Sequence, residues 1–163
     1  MKSRIPALAL GLALILSGAR AAEPYGIGLE GFAYPYPVTM LPVVSENEPL
    51  RMAYMDVKPS ADANGRTVLL LHGRNFPSSY WKPTIEALSG AGFRVIVPDQ
   101  IDFGKSSKTT APVSFDFLAR NTVALLDSLQ LARVEIVAHS MGGMLAVRIA
   151  RSYPERVNRL LLE

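Results

Sequence analysis

Ser140 stands in the run Ala138-His139-Ser140-Met141-Gly142-Gly143, a spacing that suits nucleophilic chemistry. A serine hydroxyl is a weak nucleophile at neutral pH and must be presented to a base and a substrate together. A sharp strand-to-helix turn does this, provided that small residues, here Ala138 and Gly142, lie two positions to either side. The helix that follows aims its first backbone donors at developing negative charge, which makes the Met141 N–H an expected oxyanion donor. A second donor should come from the loop His72-Gly73-Arg74-Asn75, where Gly73 lets the backbone approach closely. The Arg74 N–H is the first choice and that of Asn75 the second. The plain alternative for Ser140 is a helix N-cap, a common role for serine.

His139 is adjacent to the serine, but neighbours at a strand end point to opposite faces, so it is expected to pack rather than act as the base. Asp99, in Asp99-Gln100-Ile101-Asp102-Phe103-Gly104-Lys105-Ser106, ends an apolar run. It is expected to fix the following loop by side-chain-to-backbone hydrogen bonds rather than serve as a catalytic acid. Arg148, Arg151, Arg156 and Arg159 are interleaved with Glu155 and Glu163 and read as a solvated face.

These residues need a scaffold, and the apolar pattern supplies one. Residues 38–44 and 50–57 read as a hairpin. Short apolar strands at 68–71, 94–97 and 134–138 alternate with helices at 81–88, 115–129 and 142–152, and a further strand begins at residue 160. Ser114 is placed to cap the second helix. Strands that are apolar throughout are covered on both faces, and strand–helix–strand repeats imply parallel pairing with right-handed crossovers. The expected class is α/β: a mostly parallel sheet with helices on both faces.

Composition narrows the rest. The chain has 163 residues, 49% hydrophobic, with two histidines and no cysteine. Disulfides, Cys-ligated zinc and iron–sulfur clusters are excluded, and a His-rich metal site is implausible. The formal charge of +3 resides in Lys2, Arg4 and Arg20, all ahead of the first acidic residue, Glu23. Without them the chain is formally neutral, which argues against a nucleic-acid partner. Residues 1–21 have a basic start, a twelve-residue apolar core at 5–16 and an Ala19-Arg20-Ala21 site. They read as a signal peptide cleaved after Ala21, too short for a membrane anchor. Residues 22–37, rich in Gly, Pro and Tyr, read as an arm over the surface, and 38–163 as the domain proper.

Three segments, His72-Gly73 after one strand, Asp99 to Ser106 after the next and the serine turn after the third, occur in an order that resembles the α/β-hydrolase superfamily. Ala138 and Asp102 stand where that family often has glycine. The resemblance covers residues 37–163 and implies that His72, Gly73, Asp99, Gly104, His139 and Gly142 shape the site around Ser140. It also implies that the triad acid and histidine follow later in chain order, so that 38–163 would be the N-terminal part of an α/β-hydrolase domain, incomplete at its C-terminus and inactive alone. Haloalkane dehalogenases and epoxide hydrolases of the superfamily use aspartate where this chain has Ser140. The expected function is an exported serine hydrolase acting on an ester or related acyl bond of a small molecule, without metal or organic cofactor. Aminopeptidase, carbon–carbon hydrolase and cofactor-free haloperoxidase activities share the same fold and triad. A non-catalytic binding protein on this fold is the alternative from another class, whereas a dinucleotide-binding fold would need a Gly-rich first turn that is missing here.

Overall fold

The computed structural model describes residues 24–45 and 48–163; the expected signal peptide lies outside the described residues. A hairpin comes first, β1 (Val38–Ser45) and β2 (Glu48–Val57), followed by β3 (Thr67–Leu71), α1 (Lys82–Gly90) and β4 (Arg94–Pro98). Then come α2 (Phe115–Ser128), β5 (Val134–Ala138), α3 (Met141–Ser152) and β6 (Val157–Leu162). The strands form one sheet in the order β1-β2-β4-β3-β5-β6. β1, β2 and β4 pair antiparallel, whereas β3 pairs parallel with both β4 and β5, and β5 with β6.

Strand alternation divides the core in two. Leu69 and Leu71 of β3 face one side with Ile96, Ile136 and Ala138, and there meet Leu118 and Leu125 of α2 and Leu145 and Ile149 of α3. Val68 and Leu70 face the other side with Val95 and Val97, and there meet Ile85 of α1 and the buried Trp81. Helices thus cover both faces, which is why the central strands are apolar at successive positions. Ser114 caps α2, its Oγ accepting from the Phe117 N–H at 3.1 Å. Among the described residues no helix is long and apolar enough to cross a membrane.

Three details depart from the sequence pattern. The segment before α1 opens as a 3-10 turn over Ser78–Trp81 rather than as α-helix from residue 81. β6 begins at Val157, ahead of its apolar run, because pairing with β5 extends through Arg159, opposite Glu135. Arg156 is not part of a solvated face: it donates to the carbonyls of Leu131 and Ala132 at 2.9 Å each and pairs with Asp127 at 2.7 Å. It therefore ties the approach to β6 to the α2–β5 loop.

The sheet positions the site through its carboxyl edge. The loops after β3, β4 and β5 all leave there, which brings residues 72–75, 99–106 and 139–142 together. Leu69 is fully buried at the centre of this arrangement. Leu69→Ala is expected to lower unfolding stability by about 2–5 kcal/mol in chemical denaturation, through lost transfer energy and the cavity left behind.

Candidate active site at the carboxyl edge of the sheet

Ser140 has φ 53° and ψ −116°, a backbone conformation rarely adopted by a residue with a side chain. Such strain costs about 1–3 kcal/mol and persists only where the surroundings hold it. Here the His139 N–H donates to the Leu71 carbonyl at 3.1 Å, and the Ser140 N–H to the Glu163 carbonyl at 3.0 Å. Glycine at position 142 is a steric requirement, since a Cβ there would lie 2.3 Å from the Leu71 carbonyl oxygen. The turn leaves Ser140 exposed at the head of α3. Met141 is the first residue of that helix, where backbone N–H groups have no intrahelical acceptor.

Facing this turn is the loop after β3. The Phe76 N–H closes a turn onto the Gly73 carbonyl at 3.4 Å, with exposed Arg74 and Asn75 at its two central positions. Asn75 adopts φ 64°. Ser140, Met141 and Arg74 line one cleft of about 840 Å³, together with Phe103, Phe115 and Met144. A shallower cleft of about 540 Å³ adjoins it along α3, where Arg148 and Arg151 join Ser140 and Met144. A hydroxyl at the mouth of an apolar cleft, beside a helix N-terminus, is suited to attack a bound electrophile and to stabilise the charge that develops.

Both histidines are held by neighbours. His72 is fully buried, and its Nε2 accepts the Gln100 N–H at 2.9 Å. The proton must then sit on Nδ1, which donates to the Gly73 carbonyl at 2.8 Å. No ring nitrogen is left to take a proton from Ser140, which removes His72 as a base within this segment; it braces the β3 loop against β4. Burial pushes its imidazolium form down, below the ordinary value of 6.5. His139 lies against Phe76 and Tyr80, and its Nδ1 is 3.2 Å from the Tyr80 hydroxyl.

Asp99 is fully buried under the same edge. Its Oδ1 accepts the Ser78 N–H at 2.6 Å, and its Oδ2 accepts the Lys105 N–H at 2.7 Å and the Tyr34 hydroxyl at 2.6 Å. A Cβ on Gly104, which has φ 51°, would come within 2.1 Å of that carboxylate. Asp102 adopts φ 81° where the resemblance leads one to expect glycine, and its Oδ1 accepts the Thr109 N–H at 2.9 Å. Aspartate tolerates this region better than most residues because its short side chain bonds locally. Sequence reasoning passed over two tyrosines. Tyr80 accepts the Gly73 N–H at 3.3 Å, and Tyr34 reaches Asp99 from the N-terminal arm. Their only sequence signal was aromatic character beside Trp81 and among prolines. Among the described residues no cluster of three or more His, Asp or Glu is placed to hold a metal ion.

The scaffold is that of one family. The family described as alpha/beta hydrolase fold matches residues 66–163. The chain belongs to this family. It is 37% identical over 124 residues to a 2-hydroxy-6-oxononadienedioate/2-hydroxy-6-oxononatrienedioate hydrolase of Burkholderia vietnamiensis, covering 74% of this chain and 42% of that protein. A haloalkane dehalogenase of Mycolicibacterium paratuberculosis is 33% identical, covering 79% of this chain and 43% of its own length. Among solved structures, a "probable hydrolytic enzyme" of Pseudomonas aeruginosa superposes with a TM-score of 0.82 at 54% identity, over 85% of this chain and 44% of that one. The chain thus spans less than half the length of these relatives.

The buried imidazole of His72 carries a pH signature. The unfolded chain takes up a proton near 6.5 and the folded chain resists it, so stability present above that pH is lost as pH falls below it. Denaturation midpoints measured from neutral to mildly acidic pH are expected to drop through this window. The NMR resonances of the His72 ring should stay those of neutral imidazole below 6.5; a ring that titrates at 6.5 or above contradicts the assignment.

Proposed function

We propose that this chain carries the nucleophile half of a serine hydrolase that cleaves an ester or related acyl bond of a small molecule. The observation that supports it best is the strained, exposed Ser140 at the N-terminus of α3, opening onto the apolar cleft. Serine at this position argues against the carbon–halogen and epoxide chemistries of the superfamily, which resemblance associates with aspartate.

In this reading Ser140 Oγ attacks the substrate carbonyl carbon, and the carbonyl electron pair moves onto oxygen. That oxyanion is held by the N–H groups of Met141 and Arg74, with Asn75 the second choice for the latter. The serine proton passes to a histidine oriented by an acid, both supplied by residues beyond 163. The oxyanion then collapses to a carbonyl as the bond to the leaving group breaks and the histidine protonates that group. Water, giving its proton to the same histidine, attacks the acyl carbon, and a second collapse frees the acid and returns the proton to Ser140. The commitment of His72 to backbone partners and of His139 to Tyr80 supports a base outside the described segment.

A second reading has its own support. The Burkholderia relative is named as a hydrolase of 2-hydroxy-6-oxononadienedioate and 2-hydroxy-6-oxononatrienedioate, and Arg74, Arg148 and Arg151 line the clefts beside Ser140. Arg74 on one cleft and Arg151 on the other suit the two ends of a dicarboxylate, Arg148 being paired with Asp116 at 3.2 Å, with the same serine cleaving next to a ketone.

A fluorophosphonate probe and a panel of p-nitrophenyl esters and oxo-dienedioates test both readings on the full-length protein. Ser140→Ala is expected to abolish labelling and reduce turnover by at least about 10³-fold, whereas His139→Ala should retain labelling. Labelling that persists in Ser140→Ala refutes this nucleophile, and turnover of dienedioates in preference to esters selects the second reading. We also propose export: expressed with its own leader, the protein should appear outside the cytoplasm with Ala22 as its first residue by N-terminal sequencing. Retention of Met1 on a cytoplasmic product refutes the leader.

A further inference from the structure

We propose that Tyr34, in the arm ahead of the sheet, is a positioning residue that holds the oxyanion loop after β3 through the buried carboxylate of Asp99. The inference rests on the Ser140 reading for its catalytic consequence, and on geometry alone for the coupling. The arm precedes the family match, which begins at residue 66, so the shared motifs do not account for it.

The Asp99 carboxylate gathers donors from three separate segments: Tyr34 from the arm, Ser78 from the start of the 3-10 turn, and Lys105 from the loop after β4. None of these is a cationic side chain; the Lys108 ammonium acts on the charge electrostatically, but the two oxygens are fixed in place by these three hydrogen bonds. Tyr34 and the Lys105 amide share Oδ2, which leaves Oδ1 aimed at Ser78. If the phenol is lost, each carboxylate oxygen keeps one amide donor, and the third hydrogen bond that fixes the rotation of the carboxylate, and with it the aim of Oδ1 at Ser78, is gone. Ser78 follows Pro77 and the tight Gly73–Phe76 turn, so a shift at its amide is passed along a short, stiff connection to Arg74 and Asn75.

The phenol is itself fixed. Tyr25 and Phe32 meet edge-on at 5.2 Å, and Phe32 and Tyr34 at 5.8 Å, which makes a ladder of three rings along the arm. The Lys105 ammonium lies 4.8 Å from the centre of the Tyr34 ring. Burial first, and the Asp99 charge next, push ionisation of the phenol far above its ordinary range, so it remains a donor at any pH the protein meets. The arm and the oxyanion loop also share the walls of a third cleft of about 520 Å³, lined by Tyr25 and Phe32 on one side and by Asn75 and Phe76 on the other.

The test is Tyr34→Phe in the full-length protein, which removes one hydroxyl and keeps the ring. By hydrogen exchange, residues 73–78 are expected to lose about tenfold or more in protection while β5 and α3 are unchanged. For p-nitrophenyl acetate, kcat should fall about tenfold to a hundredfold with KM within about twofold, since a misplaced donor weakens the transition state more than substrate binding. The rate of fluorophosphonate labelling should fall in parallel. A folded variant with unchanged exchange in 73–78, or with unchanged kcat and only a lower melting temperature, overturns the proposal. If Tyr34→Phe does not fold, Phe32→Leu, which loosens the ring ladder alone, should give the same exchange pattern at smaller amplitude; its absence is equally decisive. Labelling that survives in Ser140→Ala defeats the nucleophile reading instead, and the exchange data still decide whether Tyr34 holds the loop.

Discussion

The backbone of the first turn of α3 lies against the carboxyl end of β3, and the rest of the site follows from that contact. The Leu71 carbonyl accepts the His139 N–H and leaves no space for a side chain at position 142. With helix and strand this close, the chain can turn between them only by putting Ser140 into an unfavourable backbone conformation. The strain is offset by the burial of Leu145, Ala146 and Ile149 beneath the sheet. A helix packed less closely would relax the serine and withdraw its hydroxyl from the cleft.

The two histidines illustrate how the surroundings, rather than residue type, assign a role. Either imidazole is close enough in sequence or space to invite a catalytic reading. One is neutral, buried and consumed by two backbone partners, while the other leans on Tyr80 and Phe76. Both keep the loop after β3 in place, as does Asp99 from below. The edge of the sheet is thus a set of polar side chains held by backbone groups and by two tyrosine hydroxyls, leaving Ser140 as the exposed hydroxyl of the turn.

What was legible in the sequence was local. Ala138, Ser140 and Gly142 carry their meaning in their spacing, because a tight strand-to-helix turn needs small residues there and nowhere else. The apolar strands and the Ser114 cap were visible for the same reason. The start of β6 was not, because Asn158 and Arg159 are polar and exposed, and the strand reaches them only through the pairing of Val157 and Arg159 with β5 across a register shift at Asn158. The 3-10 turn at Ser78 is set by a carboxylate 21 residues later, and Tyr34 finds that same carboxylate across 65 residues. No periodicity encodes such meetings. The one available clue was chemical: an aspartate at the end of an apolar strand is buried, and a buried carboxylate must find donors somewhere.

The pairing around Ser140 also bears on the order of events in folding. The amides of His139 and Ser140 are held by Leu71, far earlier in the chain, and by Glu163, well after it. Neither bond is within reach of a local nucleus, and each waits on the closure of a long loop between parallel strands. The strained backbone of Ser140 is thus expected to form only after the sheet has assembled, and until then residue 140 is an ordinary, unstrained serine. The geometry of this turn belongs to the assembled sheet and is complete only when β6 lies beside β5.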